Sequence, residues 1–163
     1  MEIWDGYTAD RMLAGVDMVR DRESEYPKWL YHIVSDVVVR HADGTYLAMQ
    51  RDFNKIGHPG EWELGAGGSV VKGETPIDGA IRELYEETGI KAGTLILADI
   101  VTKEYENGCN THYYVFFCET AMNKSEITLQ KGETIAFKWV TADEIRKGDF
   151  IRDRKYNIII EEN

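Results

Sequence analysis

The stretch Gly68–Ile90, GSVVKGETPIDGAIRELYEETGI, decides how the rest of the chain is read. Its second half has the marks of a helix with defined ends. Thr75 is a good N-cap, Pro76 suits the first helical position, Asp78 sits where a capping carboxylate belongs, and Gly89 supplies the stop. At about 100° per residue, Ile77, Ala80, Ile81 and Leu84 share one apolar arc, which predicts the face that the helix buries. Glu83, Glu86 and Glu87 fall together on the neighbouring arc, with no lysine among them. Three carboxylates on one rigid face suit a hard divalent cation, which takes oxygen ligands. The plainer alternative is a solvated face, because glutamate is a good helix former and like charges one turn apart cost only about 0.2–0.5 kcal/mol when exposed. Arg82, four residues before Glu86, relieves part of that cost.

The preceding segment turns the choice towards the cation. Gly65, Gly67, Gly68 and Gly73 lead into the helix, with Glu74 just before its cap, and read as a glycine-rich loop opening onto a helix N-terminus. Gly68, Glu74, Arg82, Glu83, Leu84, Glu86, Glu87, Gly89 and Ile90 together fill every specified position of the pattern G-x5-E-x7-R-E-U-x-E-E-x-G-U, where U is apolar. A chance match in a chain of this length is of order one in ten million. The run resembles the signature of the Nudix hydrolases.

That resemblance implies an α+β fold with a mixed β-sheet sandwiched between helices. It implies a Mg²⁺-dependent hydrolase, with Mn²⁺ as a substitute, that cleaves a pyrophosphate bond in a nucleoside diphosphate linked to another moiety by metal-activated water. By the same resemblance, Glu83, Glu86 and Glu87 are metal ligands, joined by the carbonyl of Gly67. Arg82 orients the glutamates, Glu74 ties loop to helix, and Gly68 and Gly89 are structural. The base is one of these glutamates or a loop carboxylate. Glu133 stands before the terminal strand, where many members place an extra carboxylate that binds metal or acts as base, so Arg82, Glu83, Glu86 and Glu133 form the catalytic set.

Within the family, the start of the chain resembles the isopentenyl-diphosphate isomerase branch. That branch carries a catalytic cysteine where this chain has Gly67 and a histidine where it has Ser69, so isomerase activity is the secondary reading; a non-catalytic nucleotide-sensing module is the third. His32, near a metal histidine of that branch, is read as a satisfied strand histidine. The proline that marks ADP-ribose hydrolases after the signature is missing, and Tyr105 stands near its place.

The bulk numbers set the frame. A chain of 163 residues with 43% hydrophobic and 29% charged residues fits one soluble domain, taken as 1–163 with residues 1–30 an N-terminal hairpin extension. The net charge of −10 and the lack of a basic patch argue against a nucleic-acid polymer and leave an anionic small molecule needing local positive charge. No apolar run reaches the ~18–20 residues that span a bilayer, so no membrane partner is expected and the cytoplasm is the default. Cys109 and Cys118 lack metal or redox spacing and read as a loop thiol and a core residue. The oligomeric state is open, a homodimer among the options.

Along the chain, the residues around Ile3–Asp5 and Met12–Val19 predict a hairpin turned at Thr8–Asp10. Leu30–Arg40 and Thr45–Gln50 predict a second hairpin, with Asp36 on a wet face. Trp62–Leu64, Leu95–Val101, His112–Glu119 and Ile135–Val140 read as further strands, with Met122–Glu133 as a polar rim loop. Thr141 and Glu144 form a capping-box signature for a helix closed by Gly148. Tyr156–Ile160 is a strand or a docked helix end.

Overall fold

The computed structural model describes residues 1–161. Its organising strand is β3 (Tyr31–His41), in which Val37, Val38 and Val39 are all 1% exposed or less. A run of β-branched residues buried on both sides of the pleat belongs to a sheet with both faces covered. One edge of β3 is paired along its whole length with β8 (Asn110–Thr120), in parallel, from Tyr31↔Asn110 to His41↔Thr120. The other edge is divided among three antiparallel partners. These are β1 (Ile3–Tyr7) at Tyr31, β6 (Ala66–Ser69) from Val34 to Val37, and β4 (Tyr46–Arg51) at Arg40. β2 (Leu13–Val19) pairs with β1, β7 (Leu95–Lys103) with β8, and β5 (Trp62–Leu64) and β9 (Thr134–Val140) with β4.

Alternation along these strands builds two cores. Val37, Val39, Leu47, Met49, Phe116 and Cys118 point to the face covered by α1 (Pro76–Thr88), where they meet Ala80 and Leu84. Val38, Ala48, Leu64 and Val115 point to the opposite face, which is covered by α2 (Ala142–Lys147) through Ile145 and by α3 (Arg154–Glu161) through Tyr156, Ile158 and Ile159. The result is the mixed sheet between helices expected of the sequence, an α+β arrangement. The hairpin β1–β2 closes over a third cluster, Trp4, Met18 and Leu30.

Several local expectations change. The glycine-rich segment before the helix is not all loop: residues 66–69 form β6, whose place is set by backbone pairing that carries no side-chain pattern. β3 and β4 leave the turn as a hairpin but share only the Arg40↔Tyr46 pair before parting, because β6 fills the next stretch of β3. The tail is the helix α3. The helix α1 is capped as expected, with a Thr75–Asp78 capping box and Gly89 in the left-handed conformation at its end. Its buried face is rotated, however. Ala80 and Leu84 are fully buried with Gly79, Glu87 and Thr88, whereas Ile77 and Ile81 are 41% and 45% exposed. The rotation turns Glu87 inward, towards β6.

This rotation is measurable in stability. Leu84→Ala should cost about 2–5 kcal/mol and Ile77→Ala less than about 1 kcal/mol, read from the denaturation midpoints of the purified variants. Equal losses would contradict the burial of the Leu84 side alone.

Candidate active site

Strand β6 and helix α1 meet at glycine. A Cβ added at Gly68 would lie 2.4 Å from the Glu83 carboxyl, and one added at Gly67 would lie 2.2 Å from Oδ1 of Asp36. A side chain at either position would have to displace the carboxyl group beside it, and the bare strand lets carboxylates of β3 and α1 approach it from either side. The Gly67 N–H donates to Oε2 of Glu87 at 3.2 Å. Around this strand opens a cleft of about 250 Å³, and it brings together Gly67, Gly68, Arg82, Glu83, Glu86, Glu87 and Glu133. Glu74 and Gly89 stand outside it.

Arg82 is the hub of the cleft floor. Its Nε and Nη2 donate to Glu74 at 2.8 and 3.0 Å, Nη2 also reaches the Ser69 carbonyl at 3.0 Å, and Nη1 donates to Glu83 at 2.6 Å. Nη1 reaches Glu86 only at 3.4 Å. One planar guanidinium thus ties the loop, the helix and two acids into a fixed geometry. Hydrogen bonding from Arg82 holds the Glu74 carboxyl below its usual range. Glu83 moves up instead, because its burial outweighs the Arg82 contact. At the rim, Glu133 is engaged by Lys55.

The carboxyl groups behind the cleft divide into compensated and uncompensated ones. Asp36, expected on a wet face, is 2% exposed and pairs with Arg154 and, at 3.8 Å, Lys155 of α3. Because β3 is covered on both faces, a polar residue within it has no wet side to use. Lys155 is 2% exposed and also donates to Glu63 at 2.9 Å, while Arg51 donates to Glu63 at 2.7 Å. Burial pushes the Glu63 carboxyl up, but Lys155 and Arg51 outweigh it and hold it at about 2. Glu87 is the contrary case. Burial, reinforced by the charges of Glu63 and Glu83, drives it up to about 8, and Lys155 and the Gly67 N–H offset only part of this. Asp36, Glu63, Arg154 and Lys155 went unread in the sequence as one network. The available signal was a charged residue inside an apolar strand, which demands a partner.

The match to known proteins follows this geometry. The NUDIX domain model matches residues 30–159, well over half of the chain. The chain belongs to the Nudix hydrolase family. An uncharacterised Nudix hydrolase of Listeria monocytogenes is 32% identical over 155 residues, covering 93% of this chain and 89% of its own length. A MutT-like protein of Streptomyces ambofaciens is 34% identical over 128 residues, covering 78% and 75% of the two chains. Among solved structures, a Deinococcus radiodurans protein superposes with a TM-score of 0.74 over 98% of both chains at 15% identity, a likeness of fold. As a Nudix hydrolase the protein acts on acid anhydrides, and the matched domain leaves the β1–β2 hairpin outside it.

Nudix hydrolases use divalent metals, and the donor set of this cleft fits one. Its side chains offer carboxylate oxygens and no imidazole or thiol, which suits a hard cation. The Glu87 carboxyl carries a deficit of positive charge that a cation would fill. The carboxylates do not form a finished cage: among the described residues no three His, Cys, Asp or Glu side chains converge on one point, since Arg82 holds Glu83 and Glu86 is turned to solvent. Neither cysteine lines the cleft; Cys109 lies against His32 and Cys118 in the core beneath α1. His32 is buried, stacked on Trp4 and bonded through Nε2 to Thr111, but it is not the fully satisfied strand histidine expected, since its buried Nδ1 has no hydrogen-bond partner among the described residues.

Glu87 gives a pH prediction with a definite sign. Its folded pKa of about 8 lies above the ordinary glutamate value of 4.5, so folding favours the protonated form. The stability it contributes is present at low pH and is lost as pH rises through about 8. Glu87→Gln in metal-free protein should raise stability at pH 8 by more than about 1 kcal/mol relative to its effect at pH 5, measured by denaturant titration at both values. An equal effect at the two pH values would contradict the burial of an unpaired carboxyl.

Proposed function

We propose that the protein hydrolyses the pyrophosphate bond of a nucleoside diphosphate linked to another moiety, with Mg²⁺, or Mn²⁺ in its place, as the metal. The observation that carries this reading is the uncompensated carboxyl of Glu87 beside Glu83 and Glu86, on a helix fixed by Arg82. Glu83, Glu86 and Glu87 would hold the metal, with the carbonyl of Gly67 beside them. A metal held there would supply the charge that neutralises the diphosphate oxygens and makes a nearby water more acidic.

The chain's own residues do the rest. Arg82 holds Glu83 in place against the strand, so that the carboxylates do not rearrange as charge develops. Water attacks one phosphorus, the bridging P–O bond breaks, and the departing phosphate keeps the electron pair. Glu86, whose one side-chain contact among the described residues is the long one to Arg82, would share in holding the metal and also take the proton of the attacking water; Glu133, held by Lys55, serves the rim.

A second cavity of about 480 Å³ supports the organic part of this substrate. It shares Arg51 with the cleft and is lined by Tyr105, Tyr113 and Phe150 with Lys103 and Arg152. Aromatic rings beside cations suit a planar base and its sugar phosphate. The relatives include an RNA pyrophosphohydrolase of Agrobacterium fabrum, 39% identical over 70 residues, covering 40% of this chain and 41% of its own length, whose name describes cleavage of the same type of bond.

Incubation with a panel of nucleoside-diphosphate compounds and Mg²⁺, with products separated chromatographically, tests the proposal. Wild type should cleave at least one compound, and the Glu86→Gln, Glu87→Gln double variant should be slower by at least about 100-fold. Failure of every compound to be cleaved above the level of the double variant would sink it.

A further inference from the structure

The cleft has a wall that the family domain does not supply. Glu2 and Arg20, from the two ends of the β1–β2 hairpin, line it together with the glutamates of α1, although the matched domain begins at residue 30. The hairpin is held against the signature segment itself. The Lys72 N–H donates to the Ile3 carbonyl at 2.8 Å, the Gly73 N–H donates to Asp5 at 2.8 Å, and the Lys72 ammonium pairs with Asp17 at 2.6 Å. Trp4 and Met18, at 3% and 0% exposure, fasten the same hairpin to Leu30 from below. Its position over the cleft is therefore built by packing as well as by surface contacts.

The cations of the cleft differ in how far they are engaged. Arg82 is bound to three carboxylates and a carbonyl, Arg51 to Glu63 and the Gly57 carbonyl, and Lys55 to Glu133. The Arg20 side chain has one partner among the described residues, Glu2, at 3.2 Å, through a single Nη, and is half exposed. An exposed ion pair of this kind is weak, and a guanidinium that uses one of five N–H groups has a free fork for a phosphate. Glu2 is itself held from the other side, its Oε1 accepting the Trp4 indole N–H at 2.6 Å. Glu2 thus holds Arg20 at the mouth of the cleft, and its charge reaches Glu83.

We propose that Arg20 is a substrate-binding residue supplied by the N-terminal hairpin: its guanidinium leaves Glu2, its partner in the free protein, and takes phosphate oxygens of the diphosphate. The inference rests on the hydrolase reading of the cleft, and it concerns the step of binding, which can be measured apart from turnover.

Inorganic pyrophosphate is titrated calorimetrically into the full chain with Mg²⁺ present, for wild type, Arg20→Ala, Arg20→Lys and Glu2→Gln. Arg20→Ala should bind at least about tenfold more weakly with an unchanged melting temperature, and Arg20→Lys should recover part of the loss. Glu2→Gln, which keeps an acceptor for Trp4 and removes the competing charge, should bind as tightly as wild type or more tightly. For any substrate that wild type turns over, Arg20→Ala should raise KM by about tenfold and leave kcat within about threefold. An unchanged pyrophosphate affinity in Arg20→Ala overturns the proposal, as does a wild type that binds none. The two readings fail separately. Turnover with Arg20→Ala indistinguishable from wild type removes Arg20 and leaves the hydrolase, whereas pyrophosphate binding that depends on Arg20 without turnover removes the hydrolase and leaves the binding site.

Discussion

Packing four carboxyl groups around one short strand of bare backbone is the constraint on which the rest of this structure depends. Gly67 and Gly68 leave room for Asp36 and Glu83, Glu87 accepts from the Gly67 N–H, and Glu63 stands on β5 just before β6 within reach of Glu87's charge. Burying carboxylates without partners is costly, so each has to be answered by a cation or a proton. Lys155 and Arg51 outweigh burial at Glu63, whereas Arg154 and Lys155 at Asp36 and Arg82 at Glu83 offset it only in part. Glu87 has no cation in contact among the described residues, and burial raises its carboxyl to about 8. Under the proposed reading, the same crowding would be relieved by a divalent cation bound at Glu87.

Seen this way, distant elements serve one purpose. α3 brings Arg154 and Lys155 across the sheet to the carboxylates of β3 and β5, which is why a lysine that is 2% exposed is tolerated there. Burial would lower its pKa, but Glu63 and Asp36 raise it well above the ordinary lysine range and keep it charged. α1 is held from the side of its solvent face by Arg82 and from below by Ala80 and Leu84, so its glutamates are fixed in rotation as well as in position. The β1–β2 hairpin adds a wall with an exposed arginine.

Much of this was legible in the sequence where a local pattern determines local structure. Thr75, Pro76, Asp78 and Gly89 marked both ends of α1 because caps act within one turn. The signature located the glutamates, and the strands with strong β-branched character were found. What stayed hidden depends on contacts between distant residues. β6 has no side-chain pattern, since Gly67 and Gly68 are two of its four residues and its pairing with β3 is made by backbone alone. The rotation of α1 could not be read from its apolar arc, because β6 accepts Glu87 where Ile77 or Ile81 was expected. Asp36 was misplaced for a related reason: the covering of β3 by α3 is set by residues more than a hundred positions away.

The claim that this cleft is a cation site waiting on the ionisation of Glu87 has a direct measure. Calorimetric titration of Mg²⁺ at pH 7, in two buffers of different ionisation enthalpy, counts the protons released for each ion bound. Since ligands must deprotonate to bind, about one proton per ion should leave wild type and none should leave Glu87→Gln. Binding of Mg²⁺ with no proton release, or the same release from both proteins, would contradict the account.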